Sequence, residues 1–204
     1  MGKRKRIALL LLIVTAVVIT AGMFVLCHHC PVVGIAFSKG RREEHRLKNR
    51  TSIPKPVDFD DRVSLSRLLQ PGDDSTRWSS ARAGRFEGFV VALAPGKLEL
   101  CNCLVPCNRD THIDVALRPD APSRERVVVE INPRMRAWAA GQGLDWSEET
   151  LHHDLLRHWV QLEGWLFFDQ HHADESENTA PNNPKNWRAT AWEIHPVTSL
   201  RVIR

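Results

Sequence analysis

The side chains best suited to chemistry are His112, Asp114, Glu130, Asp169, His171, His172, Glu193 and His195. Imidazoles and carboxylates serve both acid–base transfer and divalent-metal binding, because each can fix a proton or a cation while leaving a position open for water. Their spacing forms no compact ligand motif such as His-Glu-x-x-His, and no glycine-rich phosphate loop, serine elbow or Cys–His dyad accompanies them. A site would have to be assembled from separate segments. Alternation puts His112 and Glu130 opposite the apolar rows of their own segments, gives Asp169 and His171 a common phase, and does the same for Glu193 and His195. Convergence of these segments at one barrel end would unite His112, Glu130, Asp169, His172, Glu193 and His195 as a candidate ligand or metal site. The competing reading is structural, with His112 and His195 bonding buried backbone at strand ends and His171 and His172 solvated in a loop. No residue is assigned a catalytic role, and neither a metal nor a cofactor is identified.

The five cysteines fall in two groups, Cys27 and Cys30 in CHHC, and Cys101, Cys103 and Cys107 in CNCLVPC. CHHC lacks both a second CxxC and the following His of a c-type haem site, so it reads as a structural or lipid-modified pair. CNCLVPC allows one disulfide with one free thiol, or a three-thiol metal cluster, and an oxidising compartment favours the disulfide.

Several elements must position these groups. Residues 85–94 (RFEGFVVALA) read as a strand, with 97–101 (KLELC) following Pro95-Gly96 as its hairpin partner. THIDVAL (111–117) and RVVVEIN (126–132) alternate strictly, which predicts half-buried strands. A helix follows, with Asp145 as its cap, Glu148 and Glu149 at its positive end, and Leu151, Leu155 and Trp159 on one stripe. HWVQLEGWLFFD alternates again, residues 171–185 read as a long exposed loop, and the last strand spans 187–195, broken at Pro196 and resumed at 199–203. Three strands, one helix and two strands are the succession of a five-stranded OB-like Greek-key barrel with its helix between strands three and four. The class is mainly β.

An uncharged run of 20 residues, 7–26, precedes all this; at about 1.5 Å per residue it reaches about 30 Å, the thickness of a bilayer core. The alternative is a cleaved signal peptide with a small-residue site near Thr20-Ala21-Gly22, but the apolar stretch resumes beyond it. The chain therefore divides into a basic segment (1–6), a transmembrane helix (7–26), a juxtamembrane segment and linker (27–82) stiffened by Pro54 and Pro56, and a barrel domain (83–204). The formal charge of +4 divides in the same way: residues 1–50 hold ten Lys/Arg and two Asp/Glu, a charge of +8, and the remainder carries −4. Basic residues next to the span favour an inside N-terminus and an extracytoplasmic domain on a single-pass protein of a bacterial inner membrane. A mildly acidic barrel is a poor binder of phosphate backbones. Strands two and three also lack stacking aromatics, since Trp138, Trp146, Trp159, Trp165, Trp187 and Trp192 gather around the helix and the last two strands. No nucleic-acid partner is expected.

The blocks DTHIDVAL, VVVEINPRMR, VQLEGWLFFDQHH and WRATAWEIHPVTSLRV resemble a group of largely uncharacterised bacterial proteins that share Asp-x-His-Ile, Val-Glu-x-x-Pro-Arg, Gly-Trp-Leu-x-x-Asp and Trp-Glu-Ile-His-Pro-Val-Thr patterns. The resemblance covers about residues 84–204 and implies a domain boundary rather than a chemistry. Cys101 and Cys107 depart from the group's pattern. The expectation is a membrane-anchored binding or assembly module, non-enzymatic, with a protein or small-molecule ligand left unspecified. The alternative is a metal-dependent hydrolase in which His112, Asp169, His172 and His195 hold a cation and Glu130 or Glu193 is the base; a third reading is a cytoplasm-facing nucleic-acid binder that uses the basic juxtamembrane segment.

Overall fold

The computed structural model describes residues 2–203; Met1, Arg204 and the side chains of Lys3, Arg4 and Arg6, in the basic N-terminal segment, lie outside the description. Helix α1 (Lys3–His29) is apolar all round from Ile7, and its 23-residue stretch Ile7–His29 is long and apolar enough to cross a membrane. Its apolar window is not buried against the rest of the chain. Helix α2 (Lys39–Lys48) begins where Ser38 Oγ accepts the Arg41 N–H, and α3 (Leu65–Leu68) is a single turn capped in the same way by Ser64.

Five strands close into a barrel: β1 (Ala83–Pro95), β2 (Thr111–Ala116), β3 (Val127–Ile131), β4 (Trp159–Phe168) and β5 (Trp192–Val202), in the order β1-β2-β3-β5-β4. Closure leaves no unpaired sheet edge. β3 and β5 run parallel, whereas the other paired strands are antiparallel. The core is filled by the apolar rows that the alternation singled out, Ile113 and Val115, Val127, Val129 and Ile131, and Leu162 and Leu166, joined by Ile194. This is the mainly β, OB-like architecture expected from the strand succession.

Four details differ from the sequence reading. Residues 97–101 form no strand; β1 pairs directly with β2, from Phe89↔Ala116 to Pro95↔Thr111, and KLELC lies in the loop between them. Two helices, not one, separate β3 from β4. Asn132 caps α4 (Pro133–Gly141) by accepting the Met135 N–H, with Pro133 in the first turn where its missing donor costs nothing. The cap of α5 (Glu148–Leu155) is Ser147, which accepts the Thr150 N–H, while Asp145 accepts the Ser147 N–H one step earlier. Finally, β5 begins at Trp192 and runs on through Pro196, because the β4–β5 register slips between Gly164 and Leu166 and demands no ladder donor there. Gly164 faces the backbone of Pro196 and Val197 at this slip and has no room for a Cβ.

The stretch read as a linker is part of the folded body. Val63, Leu65 and Leu68 enter the core, and buried Asp74 ties the stretch to the β4–β5 connection: its Oδ2 accepts from Asn178 Nδ2 at 2.7 Å and from Thr190 Oγ1 at 2.6 Å. That connection is likewise not a purely exposed loop, since Ser176, Asn178 and Asn186 are buried.

Candidate functional site

Strand register decides which polar side chains meet. His112 and Glu130 are direct cross-strand partners on β2 and β3. Val129 is level with Ile194 on the parallel β3–β5 pair, so the next residue on each strand, Glu130 and His195, project side by side from the opposite face. Because Val129, Ile113 and Ile194 point into the core, the polar set lies on the outer face of β2, β3 and β5. The sequence makes convergence at one barrel end the condition for a site; the strands bring the set together on their outer face instead. Asp169 follows β4, His172 lies in the next turn, and Lys48 arrives from the end of α2.

A pocket of about 390 Å³ opens on this face. Its walls come from three places: the β1–β2 connection (Gly96, Lys97, Glu99, Asp110), the strands (His112, Glu130, Glu193) and the β4–β5 connection (Asp169, His172, Trp187, Arg188). The Trp187 ring is flanked by the rings of His112 and His172, with centroids 5.8 and 5.3 Å away, and its indole N–H donates to Glu175 Oε2 at 2.7 Å.

The cluster is an ion network. Glu130 Oε1 lies 3.1 Å from His112 Nδ1, Glu130 Oε2 lies 2.9 Å from His195 Nδ1, and His112 Nε2 lies 3.0 Å from Asp114 Oδ1. Acceptors on both ring nitrogens require a doubly protonated His112. Burial opposes that charge, but the bonds to Asp114 and Glu130 outweigh it and raise His112 to about 10. His195, fully buried, is likewise raised to about 10, with burial again overcome, here by Glu130 and Glu193. Among the carboxylates near His195, Glu130 keeps its charge despite burial because it serves both imidazoles, while burial pushes Asp110 up to about 7. Asp169 holds His172 Nδ1 at 2.5 Å, and this partner outweighs burial to keep its carboxyl below the usual range. Arg188, also fully buried, lies 2.7 Å from Glu193 Oε1 and 3.7 Å from Asp169 Oδ2. Lys48 Nζ meets Glu99 Oε2 at 2.6 Å; burial disfavours its charge, but Glu130 and Glu99 raise its pKa well above the ordinary value.

Two disulfides fix one wall of the pocket to the long helix. Cys27 bonds Cys107 and Cys30 bonds Cys103, across 80 and 73 residues of chain. CNCLVPC therefore forms no bond within itself. Cys101 is the free cysteine among the described residues; it is buried, its Sγ donates to Glu99 Oε2, and burial pushes its thiol pKa far up. The same junction is reinforced by Asn108 Nδ2 donating to the Leu26 carbonyl and by Arg134 donating to the Cys30 carbonyl.

All six side chains of the candidate site thus meet in one network, with His195 packed behind Glu130 and Glu193 rather than lining the pocket. They do not form the ligand set of the hydrolase alternative. His112 is engaged at both nitrogens, Asp169 and His172 pair with each other, and the Arg188 guanidinium stands between Asp169 and Glu193. His171 points away, toward Glu44 of α2 at 3.2 Å. Sequence reasoning missed Asp110, Glu99, Lys48 and Arg188, and named Trp187 only as one of the clustered tryptophans. Asp110 alone carried a signal, since it shares the phase of His112 and Asp114 one step before β2. Comparison with protein-family models, curated proteins and solved structures finds no match for the chain.

Proposed function

We propose that the chain is a membrane-anchored, non-enzymatic binding module that takes a small cationic or donor-rich ligand in the pocket on the outer face of β2, β3 and β5. The observation that carries this reading is the pocket's position. OB-like barrels bind ligands on the face of strands two and three, between the β1–β2 and β4–β5 connections, and those are the elements that line it here. Five carboxylates (Glu99, Asp110, Glu130, Asp169 and Glu193) line it, against the permanent cations Lys97 and Arg188. That balance supports a positive or hydrogen-bond-donating ligand over a phosphate backbone.

Helix α1 supplies the anchor. Two disulfides at its end support an oxidising, extracytoplasmic location for the barrel, since such bonds persist outside the reducing cytosol. Covalent clamping also holds the pocket at a fixed distance from the membrane surface, which suits a module that presents its site there.

Calorimetric titration of the full chain in detergent micelles tests the reading with a charge-opposed pair of probes, the diamine cadaverine and the diacid glutarate, alongside Mn2+. Saturable binding of cadaverine or Mn2+, weakened in Glu130→Gln, is expected. Glutarate binding in preference to both, or no binding of either cation, would refute it.

A further inference from the structure

Within this pocket, and resting on the cation-binding reading above, we propose a divalent transition-metal site formed by Asp110, Glu130 and His195. One ligand atom from each lies within 4.8 Å of the other two, and all three residues are buried. His195 Nε2 and Asp110 Oδ2 stand 3.9 Å apart, and neither has a hydrogen-bond partner. Buried polar atoms are ordinarily paired, and two facing each other at this distance lie within the roughly 4.2 Å that two ligands on one ion of about 2.1 Å bond length can span.

The surroundings support the assignment. Six buried or half-buried carboxylates (Glu99, Asp110, Asp114, Glu130, Asp169 and Glu193) have three permanent cations as ion-pair partners among the described residues, Lys48, Arg126 and Arg188. Lys48 is committed to Glu99, Arg126 to Asp114, and Arg188 to Glu193 and Asp169, so the cation facing Asp110 Oδ2 is the His195 imidazolium 3.9 Å away, whose Nε2 proton a bound metal would replace. A second grouping, Glu99, Cys101 and Asp110, is a weaker seat, because the Lys48 ammonium and the Cys101 S–H already occupy Glu99. Asn102 Nδ2 holds Asp110 Oδ1 at 3.0 Å, fixing the carboxylate so that its free oxygen points toward His195, as outer partners orient ligands in metal sites. Glu130 receives comparable support from His112. Imidazole with two carboxylates suits Mn2+, Fe2+ or Zn2+ better than Ca2+, which prefers an all-oxygen shell. Asp110 and Glu130 also line the pocket, so coordination positions not taken by protein face its interior.

The test is equilibrium dialysis of chelator-stripped full-length protein in micelles against Mn2+ and against Zn2+. One equivalent is expected, with affinity reduced more than about 100-fold in Asp110→Asn and within about threefold of wild type in Asp120→Asn, an exposed carboxylate outside the pocket. Because a buried substitution can cost the fold, pulsed electron paramagnetic resonance on Mn2+-loaded wild type supplies an independent readout, a single coupled imidazole nitrogen. Absence of stoichiometric metal, binding unchanged by Asp110→Asn, or no nitrogen coupling overturns the site. Cadaverine binding without metal binding would overturn this assignment and leave the pocket reading standing; failure of both cations would remove both.

Discussion

Glu130 and His195 sit side by side, 2.9 Å apart, because β3 and β5 are the parallel pair of the barrel and their registers place the two residues one step beyond Val129 and Ile194. The other oxygen of Glu130 serves His112. One buried carboxylate therefore links all three strands of the binding face.

Glu130→Gln removes the negative partner of two imidazoles at once. A buried charge left without its counter-ion costs about 3–5 kcal/mol, so chemical denaturation of the full chain is expected to show a loss of that order. Arg85→Ala, which breaks the more exposed pair with Glu163, should cost less than about 1 kcal/mol. Equal effects of the two substitutions would show that the Glu130 network contributes no more than a surface ion pair.

Stability should also decline on the alkaline side. His112 and His195 titrate near 10 in the fold against an ordinary 6.5, so the stabilisation they supply is complete below about pH 6.5 and is lost as pH rises through about 10. Asp110, pushed up to about 7, acts in the same direction at lower pH, and its contribution fades between about 4 and 7. Glu130 and Asp169, held below their usual values, contribute fully above the ordinary carboxylate pKa of about 4 and lose their effect as acidification carries pH below it. Urea midpoints at pH 6.5 and 9.5 check the sign: wild type should lose at least about 1.4 kcal/mol, the equivalent of one pKa unit, and Glu130→Gln should lose less. A wild-type midpoint that rises or stays level contradicts the network.

The disulfides make a third expectation. A protease cut in the exposed stretch 51–55 should leave the helix and barrel fragments joined, because both bonds cross the cut. Non-reducing electrophoresis is expected to show one band and reducing electrophoresis two. Separation without reductant would exclude the Cys27–Cys107 and Cys30–Cys103 pairing.

Much of this was legible in the sequence for a simple reason. A strand with one buried face advertises its phase, so the apolar rows at Ile113, Val115, Val127, Val129 and Ile131 located β2 and β3 and placed His112 and Glu130 on the opposite face. Contacts made by chain topology were not legible. Nothing local to Asp110 or Arg188 reveals that long connections fold back over the same face, and nothing in CHHC reveals a partner more than 70 residues away. Short apolar runs fail for another reason. Val63, Leu65 and Leu68 enter the core from a segment whose single helical turn is too short for its apolar residues to show a buried face. The helix α4 was hidden by the Pro133 that starts it, since proline marks a helix's first turn as readily as a break.

The most direct test of the binding face is a site-resolved one. In the full chain labelled with 15N-tryptophan, with the Trp187 indole signal assigned by Trp187→Phe, addition of Zn2+ or cadaverine should move the Trp187 resonance and leave those of Trp138, in α4, and Trp146, just before α5, in place. A Trp187 signal unmoved by both probes, or shifts confined to the other tryptophans, would contradict a ligand site between β2, β3 and β5.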